Sequence, residues 1–301
     1  MKIATAPVSW GIFEIEGLGA QRPYTEVLDE MSRAGYEGTE LGPYGYLPTD
    51  PKLLHRELAQ RHLRLVTAFV PIPLSEPERF EGAFSEVLRV ADLLGALGAT
   101  LVILADALHP RRMAIAGRAT PEDGLTEQQW ETAVAFLHRV ARACRDRGLR
   151  VAFHHHAGTF VETPSEIERL LAMTDPDVIG LCLDTGHFVY GGGDPIRAAR
   201  TYGSRIWHVH AKDVNPKVLE RVRRESFTFA EAVREGVFCP LGDGLVDFPS
   251  LIRELRAQDY QGWIVVEQDV DPRQPGVNPL RDAIRSRIYL RQILERLNLT
   301  D

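Results

Sequence analysis

Four places in this 301-residue sequence crowd together side chains that bind metals and move protons: His154-His155-His156, Asp184-Thr185-Gly186-His187, His208-Val209-His210-Ala211-Lys212-Asp213 and Glu267-Gln268-Asp269. Six of the ten histidines fall in the first three. A lone histidine is ordinarily a satisfied core or surface residue, and a lone Asp before Thr-Gly is ordinarily a turn or helix cap. Several imidazoles and carboxylates gathered in one mouth are another matter. They are costly to bury unless they hydrogen-bond or coordinate an ion, so their coincidence points to a divalent metal. A mixed imidazole and carboxylate shell suits Mn, Co, Fe or Zn and does not suit Ca.

Each cluster ends or directly follows a short apolar run of strand length. Eight such runs occur, Ile3–Val8, Gly38–Leu41, Leu65–Val70, Thr100–Leu104, Arg150–His154, Val178–Leu183, Ile206–His210 and Trp263–Glu267. Amphipathic stretches such as Tyr24–Arg33, Phe80–Leu97, Glu127–Arg147 and Ser165–Met173 lie between them, which is the pattern of β-α units and a parallel sheet. Thr126 with Gln129 reads as a capping box and Thr163-Pro164 as a helix start, while Ala34-Gly35 and Arg147-Gly148 read as helix ends. The expected fold is an α/β closed (β/α)8 TIM barrel, one domain over residues 1–301, whose site lies at the C-terminal strand ends. Side chains alternate across a strand, so His154 and His156 share one face, as do His208 and His210, while His155 points to the other. Two long segments after strands, Ala105–Glu122 and Lys212–Gly244, are lid or substrate-loop candidates, the second with a short helix at Thr228–Glu235.

Composition narrows the function. The formal charge is −7 and the pI about 5.8, which weighs against a nucleic-acid partner. No apolar stretch is long enough to span a membrane, and the N-terminal residues lack a signal-peptide pattern. Three widely spaced cysteines, Cys144, Cys182 and Cys239, read as free thiols of a cytoplasmic protein.

Several stretches together carry a family resemblance. Pro7-Val8-Ser9-Trp10-Gly11, ELGPYGYLP from Glu40 to Pro48, HHHAGT from His154 to Thr159, DTGH at Asp184–His187, HVHAKDV at His208–Val214, GVFCPLGDG at Gly236–Gly244 and GWIVVEQD at Gly262–Asp269 resemble the inosose dehydratases, members of the xylose isomerase-like barrels. The resemblance runs to about Pro272. It implies one divalent metal, Mn or Co with Fe or Zn as alternatives, held by Asp184, His210, Glu267 and a residue on the fifth strand. There the usual Glu of an E-x-H pattern is His154, with His156 in the place of the pattern's His, so either of the two can be the fourth ligand. Loss of that carboxylate removes one of a pair that isomerases of the superfamily use, which disfavours a sugar shift or epimerisation.

The implied reaction removes water from 2-keto-myo-inositol and gives a trihydroxycyclohexane-1,2-dione in inositol catabolism. A base takes the proton α to the ketone, an enediolate develops, and the metal stabilises its oxyanion. His154 or His156 is the base, Lys212 the oxyanion partner or acid, and His187 a group for proton transfer or substrate contact. Glutathione as an accessory and a dimeric or tetrameric assembly are implied by the resemblance alone.

Substrate contacts are expected from Trp10, Glu40, His156, His187, Lys212 and Asp213. Three of these have plain alternatives: Trp10 as core packing, Glu40 as a solvated or salt-bridged carboxylate, Asp213 as an exposed ion pair with Lys212. Arg111, Arg112 and Arg118 lack a glycine-rich phosphate cradle and read as a solvated loop, and Gly191-Gly192-Gly193 reads as a flexible turn. Glu40, Asp184, Asp213, Asp243 and Glu267 are expected at one rim with His154, His156, His187, His208 and His210. Competing functions are a keto-sugar isomerase or epimerase on the same barrel, a DNA-repair endonuclease of the superfamily, which the acidic pI disfavours, and a non-catalytic sugar- or metal-binding barrel.

Overall fold

In a computed structural model of the chain, residues 1–13, 19 and 21–299 are described. Its strands, in chain order, are Lys2–Thr5 (β1), Gly38–Thr39 (β2), Arg64–Leu65 (β3), Phe69–Ile72 (β4), Leu101–Asp106 (β5), Arg150–His154 (β6), Ile179–Asp184 (β7), Ile206–Ala211 (β8), Asp213–Val214 (β9), Phe238–Cys239 (β10) and Trp263–Val266 (β11). Strands β9 and β10 pair antiparallel with each other. The other nine form one sheet in the order β3-β2-β1-β11-β8-β7-β6-β5-β4.

The two ends of that order are neighbours in the chain. The single apolar run at Leu65–Val70 is split: its first part pairs with β2 and its second with β5. The residues between the two serve both sides. Val66 donates to the Thr39 carbonyl and the Thr67 carbonyl accepts from Leu41, while the Ala68 carbonyl accepts from Ile103. The sheet therefore closes into a barrel with eight staves, the third of which is the seam.

Apolar spacing and caps explain the surrounding helices. Tyr24–Arg33 buries Val27, Leu28 and Met31 on one face. Glu127–Arg145 starts at the reciprocal Thr126 and Gln129 capping box, and Pro164–Met173 at a Thr163 cap with Pro at its first position. Helices at Pro51–Ala59, Pro195–Tyr202 and Pro279–Arg296 begin in the same way after Asp50, Asp194 and Asn278. Among the described residues no helix is long and apolar enough to cross a membrane, and the three cysteines are buried and free.

Both long segments are folded. In residues 105–122, Pro110–Ala114 is helical, and residues 212–244 hold β9, β10 and the helices Pro216–Glu225 and Phe229–Arg234. Val222, Phe229, Val233 and Phe238 of the latter pack with Ala116 of the former and with Ala157 and Tyr190 into a small core of their own. The arginines correct the expectation of a solvated loop. Arg112 is fully buried and donates to both carboxylate oxygens of Glu166, at 2.9 and 3.0 Å, while Arg118 donates to the carbonyls of Ala114, Val222 and Phe227. Only Arg111, paired with Asp123, is exposed. Arg112→Ala leaves the Glu166 carboxylate without its buried partner, so a denaturant melt is expected to lose about 3–5 kcal/mol. A loss under 1 kcal/mol would make the pair a surface-like ornament.

In the glycine run after DTGH, Gly192 takes a φ of +91° with open space beside it, while its two neighbours are tightly packed. A Cβ on Gly191 would lie 2.5 Å from the Glu162 carbonyl oxygen, and one on Gly193 would lie 2.2 Å from the Phe188 ring. Close approach is what Gly191 and Gly193 provide.

Candidate metal centre and active site

Alternation along β6 turns His154 and His156 into the barrel mouth and His155 away from it. His155 packs edge-on against Phe188, and its Nε2 accepts the Asp184 backbone N–H at 3.3 Å. In β7 the last residue is Asp184, which caps the short helix Thr185–Tyr190 by accepting the His187 N–H with Oδ1 at 2.8 Å. That leaves Oδ2 facing the mouth. His210 comes from β8, and Glu267 directly follows β11.

These groups converge. His210 Nδ1 is 3.1 Å from Glu267 Oε2 and 3.7 Å from Asp184 Oδ2, and His154 Nε2 is 3.5 Å from the same Asp184 oxygen. Asp184, His210 and Glu267 each present a ligand atom within 4.8 Å of the others, as do His154, Asp184 and His187. Among the described residues, the buried Asp184 Oδ2 and His210 Nδ1 have no hydrogen-bond partner. Such atoms are costly to bury unless something positive satisfies them, and a nitrogen and carboxylate-oxygen donor set of this kind fits a divalent transition metal.

Lys212 lies beside the same carboxylates. Its Nζ donates to Asp269 Oδ1 at 2.7 Å and is 3.2 Å from Glu267 Oε2 and 3.4 Å from Asp184 Oδ2. Burial works against its charge, but Asp184, Asp269 and Glu267 outweigh it and raise the ammonium's pKa. Burial pushes the Asp269 carboxyl up to about 6 against the pull of Lys212. The DTG triplet explains the placement: Thr185 Oγ1 donates to the Lys212 carbonyl at 2.6 Å and accepts its N–H at 2.9 Å, and a Cβ on Gly186 would lie 2.6 Å from Lys212 Cγ.

His156 has a different setting from His154. Its Nδ1 is 2.7 Å from the Ala157 carbonyl, which can only accept, so Nδ1 carries the hydrogen and Nε2 the lone pair. Burial first, then the neighbouring His154 and Lys212, hold its pKa well below the usual range, so the ring is neutral. His187 lies behind it, with ring centroids 3.8 Å apart; its Nδ1 accepts the Ala157 N–H at 3.3 Å and its Nε2 is 3.0 Å from Lys212 Nζ. Among the described residues His187 does not line the cavity.

The cavity above these groups has a volume of about 300 Å3. His154, His156, Lys212, Glu267, Asp269 and Glu40 line its polar side, and Ile12, Phe13, Phe69, Pro71, Leu108 and Phe229 its apolar side. Two expected contacts besides His187 are absent from it. Trp10 is fully buried in the core, with Nε1 donating to Glu30 at 2.6 Å, so it offers a ligand no face. Asp213 spends its two oxygens on the N–H groups of Val214, Gly242, Gly244 and Val246, which makes it the organiser of the Gly242–Val246 turn and not a partner of Lys212. Asp243 likewise leaves the rim for an exposed pair with Arg285.

The structure also gives places in the site to residues that have no assigned role in the sequence. Asp269 holds Lys212, and Phe229 from the 212–244 segment stands edge-on to His156 at 5.3 Å. Asp106, the last residue of β5, lines the cavity while accepting the N–H groups of Leu74 (3.0 Å) and Phe160 (2.7 Å). Its signal was a carboxylate closing an apolar run. Burial pushes its carboxyl up to about 7, ahead of the opposing hydrogen bonds. A carboxyl raised in the folded state stabilises fully below its unfolded pKa of about 3.9, and that stability drains away as pH rises through about 7. The unfolding free energy of the wild type should therefore fall between about pH 4 and 7 relative to Asp106→Asn, by a few kcal/mol. Parallel curves for the two proteins would refute this.

A closed parallel barrel with an imidazole and carboxylate cluster at its C-terminal mouth is the architecture of the xylose isomerase-like TIM barrels, and the profile of that family matches residues 28–293. Among solved structures, the probable 3-DHS dehydratase AsbF of Bacillus anthracis shares the fold with a TM-score of 0.74 at 18% identity, covering 97% of this chain and 99% of that one. The IolI protein, solved with a binding zinc atom, does so with a TM-score of 0.73 at 14% identity, covering 98% and 99%. Sequence kinship is more specific. The chain is 37% identical to the inosose dehydratase of Geobacillus kaustophilus over 98% of its own length and 96% of that protein's, and 34% identical to that of Lacticaseibacillus casei over 96% of each. The chain belongs to the inosose dehydratase family and is an enzyme of the hydro-lyase class.

Proposed function

We propose that the protein dehydrates 2-keto-myo-inositol to a trihydroxycyclohexane-1,2-dione in inositol catabolism, as a metal-dependent enzyme with His154, Asp184, His210 and Glu267 as ligands. The observation that carries the substrate is full-length kinship with inosose dehydratases; the buried Asp184 Oδ2 and His210 Nδ1, which lack a hydrogen bond among the described residues, support the metal. The shell suits Mn or Co, and a bound ion supplies Lewis-acid stabilisation of the developing oxyanion. His154, whose Nε2 approaches Asp184 Oδ2, suits the role of fifth-strand ligand, and this frees His156.

In this reading the neutral His156, with its lone pair on Nε2, takes the proton α to the ketone. The electron pair of that C–H bond forms the enediolate and then expels the β-hydroxyl. Lys212, held as an ammonium by Asp184, Asp269 and Glu267, gives its proton to the departing hydroxide, which leaves as water. The remaining enol tautomerises to the dione. His187 steadies His156 and Lys212 from behind, Phe69 and Phe229 pack the C–H face of the ring and keep water out, and the segments 105–122 and 212–244 form the lid of a single working domain. Buried thiols at Cys144, Cys182 and Cys239 suit work in the reducing cytoplasm.

The test is an anaerobic assay with inosose, reading dione absorbance before and after EDTA and after adding back Mn or Co. Dione formation that is lost to EDTA and restored by the ion is expected. An epimer of unchanged water content would instead place the protein among the keto-sugar epimerases.

A further inference from the structure

We infer that Glu40 is a positioning residue for the metal ligand His210, fixing the tautomer that turns Nδ1 toward Asp184 and Glu267; the inference rests on the metal-dependent reading above. One oxygen of Glu40, Oε1, lies 3.0 Å from His208 Nε2 and 2.9 Å from His210 Nε2, and all three residues are 1% exposed. An ionised carboxylate only accepts, so both Nε2 atoms carry hydrogen, and the lone pair that a metal needs can then lie only on Nδ1. On His210 the Nδ1 atom faces Glu267 Oε2 and Asp184 Oδ2 and has no hydrogen-bond partner among the described residues. The other tautomer would set a nitrogen lone pair against a buried carboxylate oxygen and aim an N–H where a ligand must donate.

The contact is not one between adjacent strands. Glu40 follows β2, and β1 and β11 separate that stave from β8, so the side chain reaches across the barrel interior to meet His210. Its backbone is tied down, with its N–H on the Thr5 carbonyl at 2.9 Å and its carbonyl taking the Thr39 hydroxyl at 2.8 Å. A carboxylate anchored at both ends and spent on a ligand's far nitrogen is the arrangement by which proteins orient metal-bound histidines. His208 shares the oxygen without presenting an atom to Asp184 or Glu267, which provides a matched control.

The experiment strips the purified protein with EDTA and titrates it with Mn(II) or Co(II), without substrate, by calorimetry and by the visible absorption of the cobalt form. Glu40→Gln is expected to weaken ion binding 10- to 100-fold and to shift the cobalt bands, while His208→Asn, which disturbs the same buried cluster but keeps the bond to His210, stays within about threefold of wild type. Unchanged affinity in Glu40→Gln with a raised KM for inosose would overturn the inference and make Glu40 a substrate contact. Equal losses in the two variants would also overturn it, by assigning the effect to the cluster as a whole. A wild-type protein that takes up neither ion would sink the metal-dependent reading itself, and this inference with it.

Discussion

Glu267→Gln is expected to lose its metal and its turnover together. Glu267 Oε2 stands 3.1 Å from His210 Nδ1 and 3.2 Å from Lys212 Nζ, so one carboxylate serves both the proposed ion and the proposed acid. An amide keeps the shape and removes the charge. Lewis-acid stabilisation of an oxyanion contributes several kcal/mol, which corresponds to a fall in kcat/KM on the order of 10^3-fold. Elemental analysis and the dione assay on the same sample check it. A metal-free Glu267→Gln protein that turns over at the wild-type rate would refute the ligand assignment.

The second large effect separates two histidines that stand two residues apart on one strand face. His156→Gln should keep the ion and lose about 10^2- to 10^4-fold in kcat with little change in KM, because it removes a proton acceptor and not a ligand. His154→Gln should instead weaken ion binding and recover part of its activity at high Mn or Co. The reverse pattern would exchange the two roles. The difference between the rings arises from hydrogen bonding: the Ala157 carbonyl holds the hydrogen of His156 on Nδ1, whereas His154 directs Nε2 at Asp184.

The strand ends were legible because their chemistry is local: parity alone puts His154 and His156 in the mouth and His155 behind it, and eight apolar runs give eight staves. The break in the third stave was not, because a strand that serves two neighbours at different points is a property of the closed ring and leaves no mark on Leu65–Val70. Helix starts such as Asp50-Pro51 and Asn278-Pro279 are legible as a capping side chain followed by proline in the first turn. The places of Arg112 and Asp213, and the choice between substrate contact and core packing for Trp10, are hidden in the sequence for one shared reason. Each is a polar or amphipathic group whose partner lies far along the chain or in the backbone of a loop: Glu166 for Arg112, Glu30 for Trp10, four backbone N–H groups for Asp213. Composition and spacing say nothing about such partners. Asp106 was missed because the apolar run it closes was ended at Leu104, two residues early.

The seam and the pairing of β1 with β11 bear on the order in which a growing chain completes itself. Residues up to Ala211 can lay down the staves from β4 to β8 in sequence, each beside the last. The ring stays open until Trp263–Val266 enters between β1 and β8, and the next residue to arrive is Glu267. Three of the four proposed ligands are thus in place before the fourth has been translated. A polypeptide halted or cut before Glu267 lacks both the closing stave and the last of the four proposed ligands.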